Sequence, residues 1–306
     1  MPGLNGARVL VSGVSGPIGA ALLAELSTAG ANITRLVRPT SKRSSATEDV
    51  IAWDPMQPIP PTTVSAFYAV IHLAGESIVG KWTPEKKKNI RDSRVLGTNH
   101  LAQALAAAAM KPQVLVCSSA IGYYGNRGDE VLTERSAPGQ GFLSDVCREW
   151  EASTQAASDA GIRTVQIRTG IVLSPKGGAL GEMVVPFKLG VGGRIGSGKQ
   201  WMSWIDVEDM AGGIRYALEN QSLRGPVNFV APNPVRNADF TKTLARTLSR
   251  PAIFPLPALV VKLAFGEMGE TALLGSQRVQ PARLLESGYS FRFSGLRDSL
   301  EHSLKS

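Results

Sequence analysis

Hydrophobic positions in the first 170 residues come in short runs, each followed by polar turns or by a stretch with helical spacing. "RVLVSG" is an apolar run that stops at glycine. In "PIGAALLAELSTAG", Ile18, Leu22 and Leu26 recur every four residues, and Gly30 stands where a helix should stop. Further apolar runs are "ANITRLVR", "VIAWD", "YAVIHLAG", "QVLVCSS" and "RTVQIRTG". A long helix is predicted from Pro84, a residue suited to a first turn, to Met110, and another over residues 141–160. Strands joined through helices must run parallel, with helices on both faces. The pattern therefore predicts an α/β, Rossmann-type doubly wound parallel sheet, which binds ligands at the carboxyl ends of its strands.

The pattern changes further on. Residues 174–200, with "GVGGRIGSGKQ", are rich in glycine and read as a long, partly ordered segment over the cleft. "WMSWIDVEDMAGGIRYALEN" reads as a short strand and then a helix, with Asp206 as its N-cap and Asp209 adding negative charge to the first turn. "GPVNFVAP" is one more strand. From about residue 233 the chain is helical and punctuated by prolines. The expected organisation is a Rossmann domain over 1–232, including a cleft-covering substrate segment at 171–205, and a small, mostly helical C-terminal domain over 233–306.

Composition narrows the function classes. Of 306 residues, 43% are hydrophobic and 19% charged, ordinary for a soluble globular chain. No apolar run reaches the roughly 18 residues a membrane span needs. The start, "MPGLNGARVL", leads into a strand with no signal-peptide pattern, and Cys117 and Cys147 form neither a metal-spaced pair nor a disulfide framework. A cytoplasmic setting and no metal are expected. The net charge of +8 raises nucleic acid or a membrane surface as partners. The basic residues are spread out, however. Their densest cluster, Lys86, Lys87, Lys88, Arg91 and Arg94, lies on a helical pattern without interleaved aromatics, so neither partner is expected and a small-molecule substrate is.

The strongest chemical motif is "SGVSGPIG". Gly13, Gly16 and Gly19, with Ser15, Pro17 and Ile18 between them, stand between a strand and a helix. Glycine there permits a tight turn and close approach of backbone to pyrophosphate, and the helix N-terminus presents unpaired N–H groups. A carboxylate ending the second strand would hold the ribose 2′-hydroxyl of NAD. No acidic residue occurs between Glu25 and Glu48; instead Arg38 ends the strand, followed by Lys42 and Arg43. A guanidinium there suits a 2′-phosphate, so NADP is expected rather than NAD. In "HLAGESI", Leu73, Ala74 and Gly75 let backbone approach the nucleotide. Glu76 reads equally as a cleft residue or as a surface carboxylate or helix cap.

These motifs, with "SRVLGT", "SSAIGYYG", "RTGIVLS" and "WMSWIDVEDM", resemble the extended short-chain dehydrogenase/reductase superfamily, and more narrowly its atypical, epimerase-like and cell-division-inhibitor-like branch. The C-terminal "FGEMGETALLGSQRVQPARLLESGYSFRF" is similar to that branch's small domain. The resemblance implies NADP in the cleft, with Arg94, Ser118, Ile171 and Val172 among the cofactor contacts, and a homodimer through the long helices. It also exposes departures. Active superfamily members carry Tyr-x-x-x-Lys on the helix after the fifth strand, where Leu143 and Cys147 stand here. Ala120 occupies the position of the partner hydroxyl, and Arg94 replaces an asparagine. The remaining proton donors are Tyr123, Tyr124 and Glu76, with Ser118 or Ser119 assisting. Lys188, Arg194, Lys199, Trp201 and Trp204 would suit an anionic or ring-bearing ligand, or else form a basic loop over an aromatic core patch. Two readings follow: an NADP-dependent oxidoreductase or epimerase-like enzyme with a rearranged site, or an NADP-binding sensor without chemistry.

Overall fold

The computed structural model describes residues 3–39 and 49–305. Its centre is a sheet of seven strands: β1 (Arg8–Ser12), β2 (Asn32–Val37), β3 (Val50–Ala52), β4 (Ala69–His72), β5 (Val114–Ala120), β6 (Arg163–Thr169) and β7 (Gly225–Phe229). They lie in the order β7-β6-β5-β4-β1-β2-β3 and every pair is parallel. The order reverses between β1 and β4, which pair from Val9↔Ala69 to Ser12↔His72. A crevice opens at such a switch point, outside the carboxyl ends of the strands.

The long apolar runs of the sequence are strands covered on both faces. One face packs Val9, Val11, Ile71, Val116 and Ile167 against α1 (Pro17–Thr28) and α6 (Val207–Glu219). The other packs Leu10, Val70, Leu115 and Cys117 against α2 (Pro84–Ala107), with Trp150 of α3 (Phe142–Ala152) in the same cluster. Each fully buried aliphatic side chain contributes about 1.5–3 kcal/mol relative to exposure, so these two layers dominate the fold's stability.

Helix ends follow local chemistry. α1 stops at Ala29, and Gly30 leaves it with φ +76. In α2 the Thr83 hydroxyl accepts from the Lys86 N–H and Pro84 fills the first position. The single helix expected over 141–160 is two, α3 and α4 (Gln155–Asp159). The break comes where the Thr154 hydroxyl turns back to the Glu151 carbonyl and also receives the Gln166 amide. The segment expected to be partly ordered holds an eleven-residue helix, α5 (Gly178–Lys188), whose Leu180, Val184 and Phe187 are buried.

The second lobe draws on chain from both sides of residue 233. Its core joins Leu180, Val184 and Phe187 of α5 to Trp204, to Phe240 and Leu244 of α7 (Asn237–Thr247), and to Leu296 and Leu300 of α10 (Leu296–Lys305). Asp206 caps α6 by accepting from the Glu208 N–H, as expected. Asp209 does more than charge the first turn: its carboxylate accepts the backbone N–H groups of Arg292 and Phe293 and pins the C-terminal segment to the sheet domain. Between α7 and α10 lie α8 (Ala258–Met268), interrupted at Gly266, and the short α9 (Ala282–Glu286). No helix among the described residues is long and apolar enough to cross a membrane.

Candidate functional site: a dinucleotide crevice with a displaced polar network

The glycine motif fills the switch point. Gly13 leaves β1 with φ +77, and a Cβ there would lie 2.5 Å from the Leu73 carbonyl carbon and 2.6 Å from the Ala74 nitrogen. The backbones leaving β1 and β4 therefore touch, and only glycine lets them. Gly19 packs on Val14 so closely that a Cβ would overlap its Cα. Gly16 differs, since nothing lies within 4 Å of its missing side chain. It is the N-cap of α1, and no side chain caps the first N–H groups of that helix. Backbone donors, open room and the positive helix end together fit a pyrophosphate. Arg38 follows β2, is exposed, and pairs with no carboxylate among the described residues. Lys42 and Arg43 lie outside the described residues.

Arg94 on α2 reaches this crevice. Its guanidinium lies 3.2 Å from where a Gly75 Cβ would stand, and 5.0 Å from the centre of the Trp150 ring. It donates to the Ile90 carbonyl and makes no ion pair among the described residues. Burial depresses its pKa. Such a cation is costly unless an anion meets it. Cys147 does not supply one, because burial pushes its thiol up to about 12. Glu76 sits at the crevice edge, bonded to Lys86 at 2.7 Å, with its backbone N–H on the Ser93 hydroxyl. Beside it Lys87 bridges to Glu267 at 2.5 Å, at the end of α8, and lies over the Phe142 ring. A β-turn-like helical turn, Ile121–Tyr124, follows β5. A Cβ on its Gly122 would meet Leu143 and Cys147, so those two residues face the element where proton chemistry was expected.

Two of the candidate catalytic side chains, Tyr124 and the assisting Ser119, are engaged with other groups. Tyr124 is fully buried; its hydroxyl donates to Asn228 Oδ1 at 2.7 Å and accepts from Arg168 at 3.0 Å. Burial pushes it up to about 12, against the pull of Arg168. Ser119 is also buried and donates to Glu151 at 2.7 Å. Both belong to a network that sequence reasoning missed, centred on the two-pronged Arg168–Glu151 pair at 2.8 Å. Tyr123 is half-buried, with its ring 3.4 Å from the Arg168 guanidinium carbon and its hydroxyl without a partner among the described residues. Trp204 is a core residue, and Trp201 lies between Arg236 and Arg278. Ser118 is half-buried at the end of β5, while Ile171 and Val172 begin a short strand paired with Trp204–Asp206. No group of three or more His, Cys, Asp or Glu residues is arranged to hold a metal among the described residues.

His72 was also missed. It ends β4 fully buried, with Nδ1 on the Ser12 hydroxyl at 2.7 Å and Nε2 without a partner. Burial pushes it down to about 4, from 6.5. Below pH 6.5 the unfolded chain binds a proton that the folded one refuses, so acid destabilises the fold until about pH 4. Stability should fall by about 2 kcal/mol from this residue alone between roughly pH 7.5 and 5. Urea titrations at the two pH values check this. His72→Gln should flatten that part of the slope, and an unchanged slope would refute the assignment.

Comparison with known proteins decides the family. Residues 9–230 match the NAD dependent epimerase/dehydratase family. The chain belongs to that family. Residues 256–303 match a domain of unknown function, DUF1731. An epimerase family protein of Mycobacterium bovis is 39% identical over 97% of both chains. The human epimerase family protein SDR39U1 is 36% identical over 96% of this chain and 98% of its own. A crystal structure of the human protein (isoform 2) with NADPH superposes with a TM-score of 0.87 at 35% identity, covering 98% of this chain and 99% of that one. A UDP-glucose 4-epimerase of Thermus thermophilus in complex with NAD, 20% identical over 96% and 98% of the chains, shares the fold at a TM-score of 0.76. The extended dehydrogenase/reductase resemblance and the Rossmann sheet with a helical C-terminal part thus hold for this chain.

Proposed function

We propose that this chain is an NADP(H)-dependent oxidoreductase or epimerase-like enzyme that acts on a small hydroxyl or carbonyl compound through a rearranged site. The observation that carries the reading is the Arg94 guanidinium, which lies against Gly75 beside the glycine cradle and makes no ion pair among the described residues, so that an anion of cofactor or substrate would meet it. The backbone at Gly16–Gly19 would hold the pyrophosphate, and Arg38 the 2′-phosphate. When bound, the nicotinamide supplies hydride exchange with a carbon of the substrate. Tyr123 holds the proton for that carbon's oxygen, since its hydroxyl, unlike that of Tyr124, has no partner among the described residues, and the Arg168 guanidinium fixes its ring. Glu76, held by Lys86, stands at the crevice edge as the second candidate.

A second reading has its own support. Leu143 and Cys147 face the turn, Tyr124 and Ser119 are committed to the buried network, and an NADP(H) sensor needs none of them free. The experiment is an NADPH fluorescence titration followed by a panel of carbonyl compounds. For the enzyme, at least one compound oxidises NADPH, and Tyr123→Phe slows it at least tenfold, about 1.4 kcal/mol in the barrier. Oxidation by none of the panel favours the sensor; absence of NADPH binding removes both. Nucleotide choice is tested separately. Arg38→Ala should weaken NADPH at least tenfold, about 1.4 kcal/mol, and leave NADH within about twofold. Equal losses would overturn the 2′-phosphate assignment.

A further inference from the structure

Away from the crevice, Lys242 and Arg246 on α7 and Arg250 just beyond it recur every four residues. With Arg194 they line a concavity of about 570 Å³ that Thr241, Ser249, Ala238, Ala245, Ala252, Ile253 and Pro255 complete. No carboxylate lines it, and none of the four cations makes an ion pair among the described residues. Like charges four apart on a helix repel, and a helix end relieves only part of that.

A second feature points the same way. Ser249 has φ +53, and among the described residues only Ala66 is the other non-glycine with positive φ. Its N–H donates to the Arg246 carbonyl and that of Arg250 to the Ala245 carbonyl, the closing pattern of a helix that glycine usually terminates. The chain holds a serine in a conformation that glycine adopts without strain, and so keeps a hydroxyl on the wall and folds Arg250 back toward Ala245. Strain of this kind gathers at binding sites.

We propose that this concavity binds a small organic phosphate carrying two or more negative charges. The cations and the Thr241 and Ser249 hydroxyls would take the phosphate oxygens through charge-assisted hydrogen bonds, and the alanines with Ile253 and Pro255 would take the uncharged body. Its volume falls within the usual range of small-ligand sites, roughly 300–1,000 Å³. The site is separate from the glycine cradle and does not depend on the NADP(H) reading.

The test is isothermal titration of the full chain with inorganic pyrophosphate, with NADPH present to fill the cradle. One saturable event is expected, weakened at least about tenfold by Arg246→Gln and by Arg250→Gln and by raised salt. Arg148→Gln, an exposed cation on α3, should change nothing. Ser249→Gly should raise the melting temperature while weakening pyrophosphate about two- to fivefold, a combination that a purely structural role would not produce. Binding that is absent, or equal in the wild type and the Arg246 and Arg250 variants, overturns the site and leaves a solvated basic face. So does a polyglutamate or DNA complex that pyrophosphate fails to displace.

Discussion

Arg168→Met should cost the fold about 3–5 kcal/mol, the usual effect of removing one partner from a buried ion pair. Arg168 is only 2% exposed. Two of its nitrogens reach the two Glu151 oxygens at 2.8 Å, and a third donates to the Tyr124 hydroxyl. Burial pulls its pKa down, but the Glu151 carboxylate more than offsets this and raises it. Methionine would fill much of the volume and leave Glu151 charged, with the Ser119 hydroxyl as its remaining donor. The loss therefore comes from the stranded carboxylate more than from a cavity. Urea unfolding measures it, and Glu151→Gln added to Arg168→Met should recover part of it. A single-variant loss below about 1 kcal/mol, or no recovery in the pair, would mean that the network is solvated and weak. The same substitution removes the platform under the Tyr123 ring, so on the enzyme reading proposed above turnover should fall even where the remaining folded protein binds NADPH.

That network was the least legible part of the chain. Glu151 sits in "REWEAS" and Arg168 in "IRTG", and each reads as an ordinary surface charge. Their meeting depends on β5 and β6 lying side by side, with Ser119 opposite Arg168 in register. The two tyrosines were equally ambiguous. One helical turn after β5 decides which ring goes inward, to Asn228 on a strand 104 residues later. The sheet was readable because strands covered on both faces leave unbroken apolar runs, a local signal. The glycine cradle was readable because its chemistry is backbone chemistry, fixed by three nearby positions. The glycines around α5 misled for a physical reason. Gly177, Gly178 and Gly190 have positive φ and mark the helix ends rather than a loose segment.

Gly13→Val should weaken NADPH at least about a thousandfold, near 4 kcal/mol. A valine must leave the positive φ that Gly13 holds, because a branched side chain is strained there. Its Cβ would also lie within 2.5–2.8 Å of the Leu73 carbonyl and the Ala74 nitrogen, which are backbone atoms that no rotamer can avoid. The strand ends at β1 and β4 would separate, shifting Gly75 and with it the surface against which Arg94 rests. One substitution thus displaces the pyrophosphate cradle and the crevice cation together. Gly16→Ala gives the contrast, since its Cβ meets nothing within 4 Å and Gly16 has no positive φ. The free chain should accept alanine there with an unchanged melting temperature. Any loss of NADPH affinity in Gly16→Ala then reports a methyl group standing where the ligand comes close, and not a damaged fold. Fluorescence titration beside thermal unfolding separates the two effects. A Gly13→Val protein that still binds NADPH within about tenfold of the wild type would move the cofactor out of the β1–β4 crevice.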